Sequence, residues 1–478
     1  FSCNHANISN ICCLLITSRR EFEQTMISLE ELKQLSATGE IDTVITGFPD
    51  LYGRLLGKRC DAGFFLENIA TTGTHGCNYL STVDMEMEPI DGYAAANWEA
   101  GYGDFHLVPD LGSLQVASWL DRTAIVFCDV QDSTTHEPMP VMPRNVLAAQ
   151  IQSANQLGYT AQAASELEYY LLQESYEQAH SQHYHGLKAA GWYLEDYHIM
   201  QGSRRDAYHG ELRRHLSTSG IPVESTKGEW GLGQHEINVA YTDITTMADR
   251  HIVIKQCAKE LAEIQGVSVT FMAKYKQDQA GSSCHIHLSL WDDSGNVFAG
   301  EETLGRVQCS NIFKSFLAGW IHHAPACMPC YAPTVNSYKR FQQGSWAPTS
   351  LAWSQDNRTA GFRVVGNGQS LRIECRIPGA DVNPYLAFAA ALASGLDGIK
   401  NEMQPPAEFI GNAYGQADIP QVAATFGDAI TEFSNSDFIK QVFGEAVQQH
   451  YSHFFNTERL AYQNAVTDWE RQRYFERI

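Results

Sequence analysis

Two glutamates, Glu166 and Glu168, stand two residues apart in the apolar run AASELEYYLL. In a strand this spacing sends both side chains to one face. Adjacent carboxylates at low dielectric force one to protonate unless a cation compensates them, so the pair reads as a metal site or as an exposed strand edge. A second group lies in EWGLGQHEINV, where glycines let the backbone approach a ligand and Glu229 and Glu236 return toward one place, with Glu224 just upstream. Glutamates in glycine-rich loops are commonly just solvated, so this group alone decides nothing. A third, AGSSCHIHLSLWDDSGNVFAG, predicts a β-hairpin turning at DDSGN, with His285, His287 and Ser289 on one face of its first strand. Taken alone it also fits a pair of hydrogen-bonded core histidines. Several glutamates with one histidine point to manganese or a tolerant magnesium site, which leaves the other histidine for substrate.

A basic group follows: Lys339 and Arg340 in NSYKRF, Arg358 and Arg363 in QDNRTAGFR, and Arg372, Glu374 and Arg376 on one face of LRIECRI. Converging guanidiniums repel one another unless an anion fills the space between them, and their geometry suits phosphate and carboxylate. Metals and arginines together fit phosphoryl transfer, in which both neutralise spreading negative charge. No Gly-x-x-x-x-Gly-Lys-[Ser/Thr] loop is present, which argues against a P-loop nucleotide fold.

These residues need strands to align them and a large body to hold the strands. From Ile41 the sequence alternates short strand-like runs with turns, IDTVITGF, DLYGRLLGKRC, SLQVASWL and TAIVFCDV, which predicts a small, mainly β unit. Prolines gather in EPMPVMPR, and Pro143 suits the first turn of a helix over NVLAAQIQSANQLG, so a domain boundary is placed at 137. Long helical patterns over 243–266, 306–324 and 383–401, interleaved with strands, predict a large mixed domain, and the tail from Asp418 reads as helices. Met26 opens a helical pattern capped by Ser28, leaving 1–25 as an extension before a start at Met26.

A chain of 478 residues with 44% hydrophobic content is long enough for two or more domains. Its 33 basic and 55 acidic side chains give a net charge of -22, which repels nucleic acid and anionic membrane surfaces. The apolar run Ile11 to Ile16 is too short to span a bilayer, and the expected location is the cytoplasm. Twelve cysteines, mostly single in apolar segments, read as reduced core residues and not as a zinc site or disulfide frame.

In order, E-x-E, E-x6-E ending in GQHE, GSSCHIH, NSYKR, NRTAGFR and RIECRIPGADVNPYLA resemble the glutamine synthetase superfamily, type I-like, from about Met26 to the C-terminus. The resemblance implies an α+β fold: a small β-grasp N-terminal domain over 26–136, and over 137–478 a catalytic domain with a curved antiparallel sheet and flanking helices. It implies homo-oligomers of stacked rings, as in a dodecamer, with active sites between neighbours. It also implies two or three divalent ions, magnesium or manganese, with ATP as a substrate. On it Glu168, Glu229 and Glu236 would hold one metal, and Glu166, His285 and Glu374 the other. Glu224, Tyr241, His287, Ser289 and Arg372 would line the nucleotide site, and Arg358 and Arg363 would contact the phosphates. Gly281, Arg340 and Arg376 would grip glutamate; Glu229, Arg340, Arg358 and Trp346 would take part in catalysis.

The implied reaction is phosphorylation of the glutamate side-chain carboxylate by ATP, followed by displacement of phosphate by an amine. Two departures bear on that amine. Ammonia-using members carry a glutamate six residues after the NSYKR arginine, where this chain has Trp346, and an asparagine where it has Ala280. An indole takes no proton, but its face can hold an alkylammonium. Both changes resemble the γ-glutamylamide and γ-glutamylpolyamine synthetase branch, with an alkylamine or polyamine as acceptor. The alternatives are an ordinary glutamine synthetase using ammonia, a non-catalytic relative that would have lost metal ligands, and a Trp346 that merely packs its loop.

Overall fold

Ser28 caps helix Leu29–Ala37: its hydroxyl accepts from the Glu31 N–H at 3.2 Å, and Glu31 Oε2 accepts from the Ser28 N–H at 2.7 Å. The computed structural model describes residues 26–416 and 418–478. The expected extension over 1–25 lies outside them.

The first sheet is built from β1 (Thr43–Pro49), β2 (Leu55–Asp61), β3 (Thr74–Cys77), β4 (Asp104–Pro109), β5 (Gln115–Val116) and β6 (Thr123–Asp132), in the order β2-β1-β6-β4-β3 with β5 also on β6. β1 and β6 run parallel and the other pairs antiparallel. Alternation in β6 sends Ala124 and Val126 toward Leu32 of the first helix, and Ile125 and Phe127 into the main core. The strand expected over SLQVASWL shrinks to Gln115–Val116, because a 3-10 turn occupies Leu111–Ser113 and the Ala117 N–H already bonds across the turn to Thr123 O at 2.9 Å.

The larger sheet contains β7 (Thr160–Leu172), β8 (Val223–Gly228), β9 (Gln234–Val239), β10 (Thr242–Asp243), β11 (Ser268–Thr270), β12 (Cys284–Asp292) and β13 (Gly295–Asn296). After a separate hairpin of β14 (Glu302–Leu304) and β15 (Val307–Cys309), it is completed by β16 (Trp353–Gln355), β17 (Phe362–Val365) and β18 (Arg372–Cys375). Its main order is β16-β17-β18-β12-β7-β9-β8. Every pair is antiparallel except β16 with β17 at one edge, where the expected antiparallel pattern breaks. The fold is mixed α and β, as expected.

Helices Pro143–Gln156 and Ile244–Ile264 pack against β7, and helix Pro384–Lys400 packs on both of them and on helix Asn311–Tyr331. The starts match the sequence signals: Pro143 in the first turn, and Asp243 and Asn383 as caps. The helix expected over 306–324 instead begins at Asn311, after the β14–β15 hairpin, and runs through Pro325 and Pro329. Each proline forfeits a backbone bond, yet Ala324, Cys327, Met328 and Cys330 around them are buried in the core, and that packing holds the helix together. Ser165 turns toward helix Ile244–Ile264, with its Oγ 3.3 Å from His251 Nδ1, so Glu166 and Glu168 face the opposite side of the sheet.

One buried guanidinium joins the two sheets. Arg144 pairs with Asp129 and, at 2.5 Å, with Asp110, both from the first sheet region, and at 3.1 Å with Asp249 of helix Ile244–Ile264, which packs on the second sheet; the Tyr385 hydroxyl also donates to Asp249. The cysteines among the described residues are free, and among those residues no helix is long and apolar enough to cross a membrane.

Candidate active site

Antiparallel register lines up the residues singled out above. Glu166 lies opposite His285, Glu168 opposite Glu236, His287 opposite Glu374, and Glu374 opposite Arg363. Alternation then places these side chains in one band on the open face of the sheet. Glu229 joins them from the turn between β8 and β9, where its N–H bonds to Gln234 O at 2.9 Å.

Three sets of donors converge closely enough to share a cation: Glu168, Glu229 and Glu236; Glu166, Glu236 and His285; and Glu166, His287 and Glu374. In the first set burial pushes the Glu168 carboxyl up to about 7, with the Glu229 charge adding to it and the Ser283 N–H, Arg340 and Arg376 opposing. Burial drives Glu236 well above its usual range too, reinforced by Glu166, Glu168 and Glu229 and opposed by Lys227. Three carboxylates that repel one another this strongly suit a divalent ion, which would remove the repulsion and bind all three through oxygen.

Around Glu166 the protein supplies imidazoles. Burial alone would raise this carboxyl, but His287 and His285 outweigh it and hold it below the carboxylate range. Arg372 Nε donates to His287 Nδ1 at 3.3 Å, which leaves His287 Nε2–H to donate to Glu166 Oε1 at 3.0 Å. His285 Nδ1 faces Glu166 Oε2 at 3.1 Å, whereas its Nε2 is buried without a partner among the described residues. Burial and the Arg376 charge lower His285 to about 4, so the ring is neutral, and Nδ1, which also lies 3.7 Å from Glu374 Oε1, is the nitrogen that faces the candidate ligands. Glu374, fully buried, is clamped by Arg376 and by Arg363 at 2.5 and 2.7 Å; against the upward push of burial, Arg376 and then the two histidines bring it to about 2.

Two cavities meet at Glu166 and Asn238, which line both. The first, about 460 Å³, is bordered by Glu168, Glu229, Glu236, His285, Gly281, Trp346, Arg358, Arg363 and Arg376. The second, about 480 Å³, is bordered by Glu224, Tyr241, His287, Ser289 and Arg372, the whole set expected at a nucleotide. Glu374 stands behind the junction. Arg340 does not reach either wall: its guanidinium is buried and donates to Ile377 O, Arg376 O and Ser283 Oγ at 2.7, 2.8 and 3.1 Å. It packs under Gly281, where a Cβ would lie 2.5 Å from Arg340 Cγ and 2.8 Å from Ala273 O.

Several site residues escaped the sequence reading. Lys227, opposite Glu236 in register, pairs with Glu229 and lies 3.9 Å from Glu236, providing the carboxylates with an internal counter-charge. Gln234 Nε2 donates to Glu168 Oε2 and Gly281 O at 3.2 and 3.0 Å, fixing the carboxylate. Gln234 lies inside the glutamate motif and Lys227 two residues before it, and strand alternation applied to 223–228 and 234–239 would have found them. Trp230 directly follows Glu229, and its ring meets Trp346 edge-on at 5.7 Å. Asp196 and Tyr197, more than thirty residues upstream of Glu229, gave no sequence signal.

A family model for the glutamine synthetase catalytic domain matches residues 140–474. A γ-glutamylethanolamide synthetase of Streptomyces coelicolor is 44% identical over 454 residues, covering 95% of this chain and 96% of the relative. A glutamate–isopropylamine ligase of a Pseudomonas species is 37% identical, covering 92% and 96%, and a glutamine synthetase of Clostridium saccharobutylicum is 32% identical, covering 93% and 98%. The solved ADP complex of GmaS superposes with a TM-score of 0.81 at 27% identity, covering 93% of this chain and 99% of that one. Fold, site and relatives agree on the class, a carbon–nitrogen ligase. The chain belongs to the glutamine synthetase family, whose members use ATP and divalent metal ions.

Proposed function

We propose that this protein phosphorylates the γ-carboxylate of L-glutamate with ATP and passes the γ-glutamyl group to an organic amine, an alkylamine or polyamine, giving a γ-glutamylamide, ADP and phosphate. The observation that carries this reading is the band of carboxylates and imidazoles lying where the two cavities meet, one wall of each carrying arginine.

On this reading Glu168, Glu229 and Glu236 hold one divalent ion, magnesium or manganese, and Glu166, His285 and Glu374 another, with Arg363 and Arg376 sharing Glu374. Such ions supply charge neutralisation to the transferring phosphoryl group. Arg358 and Arg363, which line the first cavity, neutralise further charge, while Glu224, Tyr241, His287, Ser289 and Arg372 border the nucleotide. Glutamate lies against Gly281 and Arg376, and Arg340 acts from behind, fixing Gly281 and Ser283. A carboxylate oxygen of glutamate attacks the terminal phosphorus of ATP, and ADP leaves. The amine nitrogen then attacks the γ-carbonyl carbon, the carbon–oxygen bond to phosphate breaks, and the nitrogen loses its protons to phosphate and solvent.

The acceptor reading rests on Trp346 and Trp230, a pair of half-exposed rings on the cavity wall where ammonia-using members carry a carboxylate. Such faces favour an organic cation over ammonium. The Streptomyces and Pseudomonas relatives, named for ethanolamine and isopropylamine products or substrates, support an organic acceptor. Phosphate release with ATP and glutamate, compared between ammonium and methylamine, ethylamine, ethanolamine, putrescine and spermidine, tests this. Saturable turnover with an organic amine is expected; turnover with ammonium alone would restore the glutamine synthetase reading. Assembly into stacked rings is part of the same proposal, and sedimentation of the purified protein measures it.

A further inference from the structure

Five carboxylates face the first cavity: Glu166, Glu168, Glu229, Glu236 and Asp196. Four of them belong to the convergent donor sets, and Asp196 belongs to none. No hydrogen bond or ion pair among the described residues engages its carboxylate, although its backbone is firmly placed. The Asp196 N–H bonds to Glu229 O at 3.2 Å, and the next residue, Tyr197, bonds to Gly228 O at 3.4 Å. Tyr197 adopts a left-handed backbone with φ of 62°, and its ring lies 4.5 Å from Lys227 Nζ. A bulky residue is strained in that conformation, and such strain persists only where surrounding contacts impose it. Trp346, on the same cavity wall, has φ of 65°. Two strained aromatic residues and one unpartnered carboxylate thus border the space beside Glu229.

A primary aliphatic amine arrives at neutral pH as an ammonium ion. The indole at position 346 offers it a ring face but no counter-charge, and Lys227 already occupies Glu229. We propose that the Asp196 carboxylate pairs with the ammonium group of the acceptor amine and positions its nitrogen among Tyr197, Trp230 and Trp346. This rests on the ligase reading above and makes Asp196 a residue that determines acceptor specificity. The carboxylate supplies the charge, and the rings pack the carbon substituent.

The test compares two acceptors on the full chain with saturating ATP and glutamate: ethanolamine, which is cationic, and hydroxylamine, which is smaller and largely uncharged at neutral pH. In Asp196→Asn the KM for ethanolamine should rise about tenfold or more, the loss of one charge-assisted hydrogen bond. The KM values for hydroxylamine, ATP and glutamate should stay within about twofold of wild type, and Asp196→Glu should recover part of the ethanolamine KM. An unchanged ethanolamine KM, or an equal loss with hydroxylamine, would overturn the assignment while leaving the ligase intact. A wild-type protein that releases phosphate with neither acceptor nor any other amine of the panel above would instead remove the ligase reading on which it rests.

Discussion

The floor of the first cavity and its mouth are made in opposite ways. The floor is mostly sheet: its ligand candidates sit on β7, β9, β12 and β18, where antiparallel register sets each opposite the next, with Glu229 added from the turn that leads into β9. The mouth is loop: Asp196, Tyr197, Trp230 and Trp346 come from three separate connections, and two of them hold left-handed backbone. A sheet can hold like charges together because its hydrogen-bonded neighbours cannot move apart. A loop can change its side chains without disturbing that register. The difference teaches that activation of the acid and choice of the amine are physically separable, and each can be broken alone.

The largest effect should come from the floor. Glu229→Ala removes one oxygen ligand and leaves Lys227 facing Glu236, and phosphate release should fall roughly a thousandfold or more, the several kcal/mol that bound cations contribute. Turnover that survived in this variant would detach Glu229 from the scheme. A smaller effect is expected at the mouth. Trp346→Ala should raise the amine KM by about tenfold, within the range of a partly desolvated cation–π contact, and leave the KM for ATP unchanged. If the ATP KM moved equally, floor and mouth would not be separable.

The smallest effect is thermal. Burial raises the folded-state carboxyl of Glu168 to about 7 from an ordinary 4.5, so the native protein binds the extra proton. The contribution is fully present below the ordinary value and is lost as pH rises toward 7. Chelator-treated protein should therefore lose a few degrees of Tm across that window, less so in Glu168→Gln, and added manganese should restore more at pH 7 than at pH 5. A Tm that was flat in chelator over this range would show that the carboxylates are already compensated within the chain.

The floor was legible in the sequence because alternation is a strict rule: SELEY and HIHLS announce their faces, and register did the rest. Helix starts at Pro143, Asp243 and Asn383 were legible for the same local reason. The mouth was not. Asp196 and Tyr197 reach the site through backbone bonds to Gly228 and Glu229, and no local pattern encodes a tether between distant segments. Arg340 was read as a substrate contact from its motif, but a one-dimensional reading cannot tell a side chain in a wall from one behind it. The helix expected over 306–324 was read as ending before Pro325 and Pro329, because burial there outweighs the local preference of proline.

Arg144 gives the separation of floor and mouth a mechanical side. A guanidinium is planar with donors in fixed directions, and here they point at Asp110, Asp129 and Asp249 at once. Rotation of the small sheet against the large one would break several charged contacts together and strand a buried cation. The Arg144 contacts therefore oppose rotation of one sheet against the other.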